Sequence, residues 1–301
     1  MTDHVFEGNG LDIRVIDKSE ARKLAKELGL PCGPLSFSQM NTWMMCGQSY
    51  EMGYIRKLGR GVFKPPLVMG NCIHGAMEVL LNDTINGVKY GIARKHALNA
   101  AQSFWADERK KYDIAPQDLE EFDAVVKCIG VLIGHWQDDV LPEIKPVAAE
   151  KRFNISFNGI PMVVKIDLVE EDRVVDFKLT KRAKNVNEAK DSMQLSVYSA
   201  STGIRRVAFH SFGYPNLHLK TKKWKPGVKI AHAAKNAGDI RWCADVVRDV
   251  SNALVSGFYP RCDPAEWKCT PEQCEHYTYC RGSEQDEHDR VQPGWMGGGD
   301  W

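Results

Sequence analysis

The sequence predicts an α+β fold, with a helical first half followed by strands and further helices. Three observations predict it. Apolar residues recur at helical spacing up to about residue 141. Pro142 and Pro146 then end that pattern, and the period switches to two. Asn158-Gly159, the strongest short hairpin signal, sits inside the alternating stretch.

Residues 1–34 carry no long periodic pattern beyond a short helix over Ser19–Leu28 and read as an N-terminal extension. One domain spans 35–283, with a helical region over 35–145, a strand-rich core over 146–215 and a C-terminal part over 216–283. In LSFSQMNTWMMCGQSYEMGYI, Ser36 with Gln39 three residues on is a capping-box spacing that opens a helix. Cys46 lies near the end of that helix, before Gly47. In GNCIHGAMEVLLND, residues 70–83, Ile73, Met77, Leu80 and Leu81 form an apolar stripe. His74 and Glu78 share its flank at i and i+4. Residues 92–141 are helical by period, with a break around Pro116.

Phe153, Ile155 and Phe157 alternate with Arg152, Asn154 and Ser156. The tight turn at Asn158-Gly159 returns the chain into VVKIDLV, and a polar break at Glu170–Arg173 precedes VVDFK. A turn centred between Glu171 and Asp172 places Asp167 opposite Asp176 and Lys165 opposite Lys178. The turn at Asn158-Gly159 places Glu150 opposite Asp167 and Arg152 opposite Lys165. The result is a row of three carboxylates beside a row of three cations. Carboxylates ~4 Å apart repel by roughly 4 kcal/mol at a protein-like dielectric, so such a row on a half-buried face needs a cation. A divalent-metal site reads this way in sequence; a solvated face bearing unrelated aspartates is the alternative.

After the polar loop TKRAKN a helix is expected over Val186–Thr202, capped by Asn185 with Glu188 and stopped by Gly203. Gln194 and Tyr198 stand one turn apart on it. A strand follows over 205–214. The most basic stretch, Lys220, Lys222, Lys223, Lys225 and Lys229 with His218 and Trp224, reads either as a solvated loop or as a phosphate-contacting one. A helix over 239–257 carries Trp242, Val246, Val247, Val250 and Leu254 at helical spacing. Cys262, Cys269, Cys274 and Cys280 crowd a short aromatic-rich run, and the polar, Gly-rich residues 284–301 read as a flexible tail.

The composition is that of an ordinary globular chain, 43% hydrophobic and 26% charged. With a net charge of +1, any nucleic acid must be held by a local basic patch. There is no long apolar run to cross a membrane and no basic-then-apolar leader, so a cytoplasmic protein is expected. In a reducing compartment nine cysteines, an odd number, are better read as metal ligands than as disulfides.

Taken in order, these pieces resemble the iron-sulfur-containing, RecB-like branch of the PD-(D/E)xK nuclease superfamily. That branch includes nuclease domains of helicase-nucleases, viral exonucleases and CRISPR-associated RecB-like nucleases. The motifs run over residues 35–282: Leu35, Ser36, Ser38, Trp43 and Cys46; then Gly70, His74 and Glu78; Asp167; Asp176 with Lys178; Gln194 with Tyr198; and Cys269, Cys274 and Cys280.

The resemblance implies a restriction-endonuclease-like core, a mixed central sheet flanked by helices. It implies that His74, Asp167 and Asp176 hold Mg²⁺ or Mn²⁺, with the Phe177 carbonyl as a further ligand and Glu150 as an auxiliary one. Lys178 is expected to orient water or stabilise developing charge, and Gln194 and Tyr198 to position the DNA strand. Glu78 is expected to be structural. Cys46, Cys269, Cys274 and Cys280 are expected to ligate a structural 4Fe-4S cluster, with a Cys₄ zinc site as the alternative. The chain departs from the pattern in two places. Gly47 stands where many relatives have Pro, and Cys262 is an extra thiol.

The implied function is a Mg²⁺- or Mn²⁺-dependent DNA exonuclease acting on ends or single strands. Without a GxxxxGK(S/T) loop it works without ATP. Its partners are expected among recombinases, helicases or CRISPR integration proteins, in the cytoplasm, or the host cytoplasm if viral. A non-catalytic DNA-binding or assembly subunit is the alternative.

Overall fold

The structure, a computed structural model, describes residues 4–8, 11–58, 65–111, 116–215, 226–271 and 273–282. Strands β1 (His4–Gly8) and β2 (Leu11–Ile16) precede helix α1 (Lys18–Leu28). The short strand β3 (Leu35–Ser36) leads into α2 (Phe37–Met45) and the single turn α3 (Gly47–Tyr50). Long helices α4 (Pro65–Ile85), α5 (Tyr90–Glu108) and α6 (Pro116–Asp139) follow. The strand-rich part contains β4 (Pro146–Phe157), β5 (Ile160–Glu170) and β6 (Arg173–Thr180). Next come α7 (Val186–Asp191), α8 (Met193–Thr202), β7 (Arg206–Gly213) and β8 (Val228–Ala234). Helices α9 (Ala237–Val255) and α10 (Tyr277–Arg281) close the described chain. The expected mixed sheet with flanking helices is therefore present. No helix among the described residues is long and apolar enough to cross a membrane.

The chain divides into two units, one of residues 1–63, 154–163 and 244–301, the other of 64–153 and 164–243. In the first unit β2 runs antiparallel to the end of β4, with Ile13 paired to Phe157, and β3 runs parallel to the start of β5. The turn between β4 and β5 has positive φ at both central residues, 50° at Asn158 and 82° at Gly159. That is the backbone an Asn-Gly hairpin turn requires. The Asn158 side chain accepts from the Asp12 N–H at 2.7 Å, docking the turn onto β2. Strands β1 and β2 lie within the expected N-terminal extension. Their apolar alternation is too short to register as a period; β2 is held by pairing with β4 and β1 by pairing with β2. The capping box at the start of α2 is formed: Ser36 Oγ accepts from Gln39 N and Gln39 Oε1 from Ser36 N, at 3.2 and 2.9 Å.

In the second unit β5 and β6 pair through Leu168–Val175 and Val169–Val174, the register expected from a turn at Glu171-Asp172. Strand β6 then runs parallel to β7, and β7 antiparallel to β8. Val174 through Phe177 are all buried, as befits a strand covered on both faces. On one side the Phe177 ring meets Trp136 of α6 and His74 of α4, at 6.0 and 6.3 Å between ring centres. On the other side Asp176 reaches Tyr198 of α8 at 3.4 Å.

Two expectations are corrected here. The helix expected over 186–202 breaks at Ser192, whose ψ is 116° and whose hydroxyl caps α8 through Leu195 N at 3.2 Å. The buried ammonium of Lys235 donates to the carbonyls of Lys190 and Ser192 and so satisfies acceptors that the break exposes. Trp242, expected on the packing face of α9, is 57% exposed, while Cys243, Val247, Val250 and Leu254 are buried. Lys229 belongs to β8, a strand the sequence did not predict. Lys220, Lys222, Lys223 and Lys225, with His218, Trp224 and the tail over 284–301, lie outside the described residues.

Candidate active site

The site is built on the middle of β6, inside the second unit. Alternation sends Asp176 and Lys178 to one face and Phe177 to the other. The Lys178 ammonium lies 2.7 Å from Asp176 Oδ2 and donates to Gln194 Oε1 at 3.1 Å. The Gln194 amide donates to Tyr198 OH at 3.0 Å, and that hydroxyl donates to Asp176 Oδ1 at 3.4 Å. Helix α8 thus supplies both groups at i and i+4, closing a ring of contacts around Asp176 and Lys178.

Asp167 lies on β5 beside Leu168, whose partner on β6 is Val175. Its Oδ2 accepts from the Phe177 backbone N–H at 2.7 Å, and its Oδ1 lies 3.4 Å from His74 Nδ1. Glu150 Oε1 lies at the same distance, 3.4 Å, from that nitrogen. Glu150 is in the left-handed backbone region, φ 47°, inside a strand. A non-glycine residue there breaks the pleat and re-aims the side chain, a deviation seen next to functional sites. The other Glu150 oxygen pairs with Lys165. Arg152, expected beside Lys165 and Lys178 in the cation row, is an exposed residue of β4. Lys165, Lys178 and His74 each lie against at least one of the carboxylates.

The electrostatics follow from burial. The side chains of Glu150, Asp167 and Asp176 are 4%, 7% and 1% exposed. Burial lifts the Asp176 carboxyl to about 6, with Lys178 pulling it down and Asp167 pushing it up. Burial alone lowers the His74 imidazole, but the charge and hydrogen bond of Asp167 and the hydrogen bond of Glu150 outweigh it and push it to about 10. Burial, then Asp167 and Asp176, raise the Tyr198 hydroxyl well above its ordinary value, so it stays a neutral donor. The pocket draws positive charge from every available source.

That demand fits a divalent cation. His74, Glu150 and Asp167 each offer one donor atom, all within 4.8 Å of one another. Two carboxylate oxygens and an imidazole suit Mg²⁺ or, more readily, Mn²⁺. Glu150 completes this donor group, where the sequence placed His74, Asp167 and Asp176 together and gave Glu150 an auxiliary role. Asp176 stands on the Lys178 side of Asp167.

Behind the site lies a pair that sequence reasoning missed. Trp136 Nε1 donates to His210 Nδ1 at 3.0 Å, and both rings flank Phe177. Burial, then His232 and Arg173, hold His210 down at about 3, so it is neutral. Nothing in a single sequence links residues 74 positions apart.

Cys46, Cys262, Cys269, Cys274 and Cys280 all belong to the first unit. Gly47 abuts Pro260, and a Cβ there would lie 2.5 Å from Pro260 Cδ and 2.6 Å from its backbone nitrogen. Gln48 N donates to Pro260 O at 3.2 Å and Trp43 Nε1 to Phe258 O at 2.9 Å, so the end of α2 is docked against the approach to the Cys-rich run. Cys262 hydrogen-bonds with Cys269 and Cys46, and burial followed by those two thiols pushes its thiol to about 12. Cys46, Cys262 and Cys269 therefore lie together. Cys274 and Cys280 follow on the same segment, half-buried, and none of the nine cysteines forms a disulfide. The extra thiol, Cys262, is thus one of the group.

Comparison with known proteins adds three findings. No curated protein matches the chain by sequence. By structure it is similar to a protein named "Putative exonuclease" from Eubacterium rectale, with TM-score 0.50 and 12% identity over 83% of this chain and 91% of that one. At that identity the likeness concerns the fold. The family model described as "PD-(D/E)XK nuclease superfamily" matches residues 34–281, which include the carboxylates, Lys178, His74 and the cysteine group. The chain belongs to the PD-(D/E)XK nuclease superfamily.

Proposed function

We propose that this protein is a Mg²⁺- or Mn²⁺-dependent deoxyribonuclease, an exonuclease that acts on DNA ends or single strands without ATP. The observation that carries the reading is the donor group His74, Glu150 and Asp167 beside the Asp176–Lys178 pair. A divalent ion held by that group, with Asp176 adjoining, supplies Lewis-acid activation of a phosphodiester and of a water. Lys178, fixed between Asp176 and Gln194, offers a preorganised ammonium where charge builds on the phosphate oxygens. Gln194 holds the Lys178 ammonium and lines the strand's path, while the buried Tyr198 keeps Gln194 and Asp176 in place. The family match makes DNA the fitting substrate, and exonuclease is the activity named for the structural relative.

The cysteine group supports a structural 4Fe-4S cluster held by Cys46, Cys269, Cys274 and Cys280, with Cys262 close enough to replace one of them. Recombinases, helicases or CRISPR integration proteins are the partners that suit such an enzyme, in the cytoplasm.

The test is digestion of end-labelled linear and circular DNA, single- and double-stranded, with Mg²⁺ and with Mn²⁺. Degradation of linear DNA from its ends is expected, and its loss in Asp176→Ala and in Lys178→Ala. Persistence in either variant overturns the active-site assignment. Binding without degradation on every substrate turns the reading to a DNA-binding subunit. Iron and acid-labile sulfide in anaerobically purified protein support the cluster; zinc without either turns it to a Cys₄ zinc site.

A further inference from the structure

Lys165 is the second lysine of the site, and its contacts differ from those of Lys178. Lys178 is held by two partners and its side chain is 33% exposed. Lys165 is 58% exposed, yet its ammonium pairs with Glu150, whose side chain is 4% exposed. The carboxylate it neutralises is one of the three donors that can hold a metal. One Glu150 oxygen faces His74 and the other faces Lys165, on a backbone turned to φ 47° to bring both about.

An exposed lysine contributes little as a stability device. A buried carboxylate with no cation beside it is costly. The two facts together describe a counter-ion whose purpose is the carboxylate. A doubly charged ion on Glu150 repels an ammonium a few ångströms away twice as strongly as a single charge does, and it also takes over the neutralisation of Glu150. The flexible four-carbon stem then lets the ammonium swing away.

We propose that Lys165 is a displaceable counter-ion. It occupies Glu150 while no divalent ion is bound, and once one binds it is released to contact a phosphate of the DNA strand at the rim of the site. The inference rests on the nuclease reading of this site. It makes Lys165 a competitor of the metal and a helper of the substrate, which a merely structural ion pair is not.

The full-length protein and its Lys165→Met, Lys165→Arg and Asp167→Asn variants are titrated with Mn²⁺ in the absence of DNA, with free ion read by electron paramagnetic resonance. DNA binding is then measured by anisotropy over a range of salt, with Ca²⁺ replacing the activating ion. Lys165→Met is expected to bind Mn²⁺ roughly two- to five-fold more tightly, the scale of an exposed ion pair. It is expected to bind DNA more weakly, with a logarithmic salt slope smaller by about 0.7–0.9. Lys165→Arg keeps both properties close to those of the parent, and a Lys165→Gln variant repeats the measurement should the methionine disturb folding.

Unchanged or weaker Mn²⁺ binding in Lys165→Met overturns the competition. Tighter Mn²⁺ with unchanged DNA binding and salt slope overturns the phosphate contact. The Asp167→Asn variant separates the two levels. If it loses Mn²⁺ binding while Lys165→Met shows no tightening, only the role of Lys165 falls. If it binds Mn²⁺ as the parent does, the metal site itself is misassigned and the proposal falls with it.

Discussion

The backbone N–H of Phe177 donates to Asp167 Oδ2 at 2.7 Å, so one oxygen of this carboxylate ties β5 to β6 while the other faces His74 at 3.4 Å. Asp167 therefore serves the sheet and the site at once. Asp167→Ala is expected to lose Mn²⁺ binding and also about 1–3 kcal/mol of stability, because a buried N–H is left without an acceptor. Asp167→Asn can turn its amide oxygen toward Phe177 and retain most of the stability while losing the metal. Urea unfolding beside Mn²⁺ titration separates the two effects; equal stability losses in both variants would contradict this dual role.

Glu150 holds φ 47°, a region that costs an L-residue about 1 kcal/mol or more. Glu150→Gly is therefore expected to be more stable than Glu150→Ala by about 1 kcal/mol, although glycine is usually the worse choice in a strand. Both variants lose the donor and weaken Mn²⁺ binding alike. Thermal unfolding of the pair gives the order of stability.

The parts of this design that two or three adjacent residues decide were legible in the sequence. Asn158-Gly159 dictates its own turn, Ser36 with Gln39 its own cap, and the polar break at Glu171-Asp172 the register of β5 with β6. Features set by distant residues were not. The break at Ser192 depends on a lysine 43 residues away, and the strands before Lys18 exist because β4 pairs with one of them. The left-handed turn of Glu150 leaves no trace in residue type, since glutamate is a poor choice for that backbone. The side chain it carries meets His74 and Lys165, each on another element.

His210 sits at about 3 in the folded chain against an ordinary value of 6.5, because burial disfavours its cation. The unfolded chain takes up a proton below 6.5 that the folded chain refuses, so this group's contribution to stability is complete above 6.5. It is lost as pH falls toward 3, at up to about 1.4 kcal/mol per pH unit. His210→Gln is expected to flatten the stability profile between pH 6 and 4 relative to the parent, read from urea midpoints at each pH. A parallel profile would show that other groups govern acid unfolding.

Gly47 lies so close to Tyr259 and Pro260 that any side chain meets backbone. Gly47→Ala is expected to cost about 1–3 kcal/mol through forced displacement of that segment. On the cluster reading proposed above, it also lowers the iron bound per chain, since Cys46 moves with it. Unfolding midpoints and metal analysis of the same preparation check both.

The parallel pairing of β6 with β7 has a consequence in time. His74 and Glu150 are 76 residues apart in sequence, and Asp176 and Lys178 gain Tyr198 and Gln194 only after the crossover through α7 and α8 is made. Long-range pairings of this kind form slowly, after local helices and hairpins. A nascent chain on the ribosome thus carries helices, a hairpin and both aspartates before it carries a complete cutting centre. Competence to break DNA arrives as one of the last events of folding.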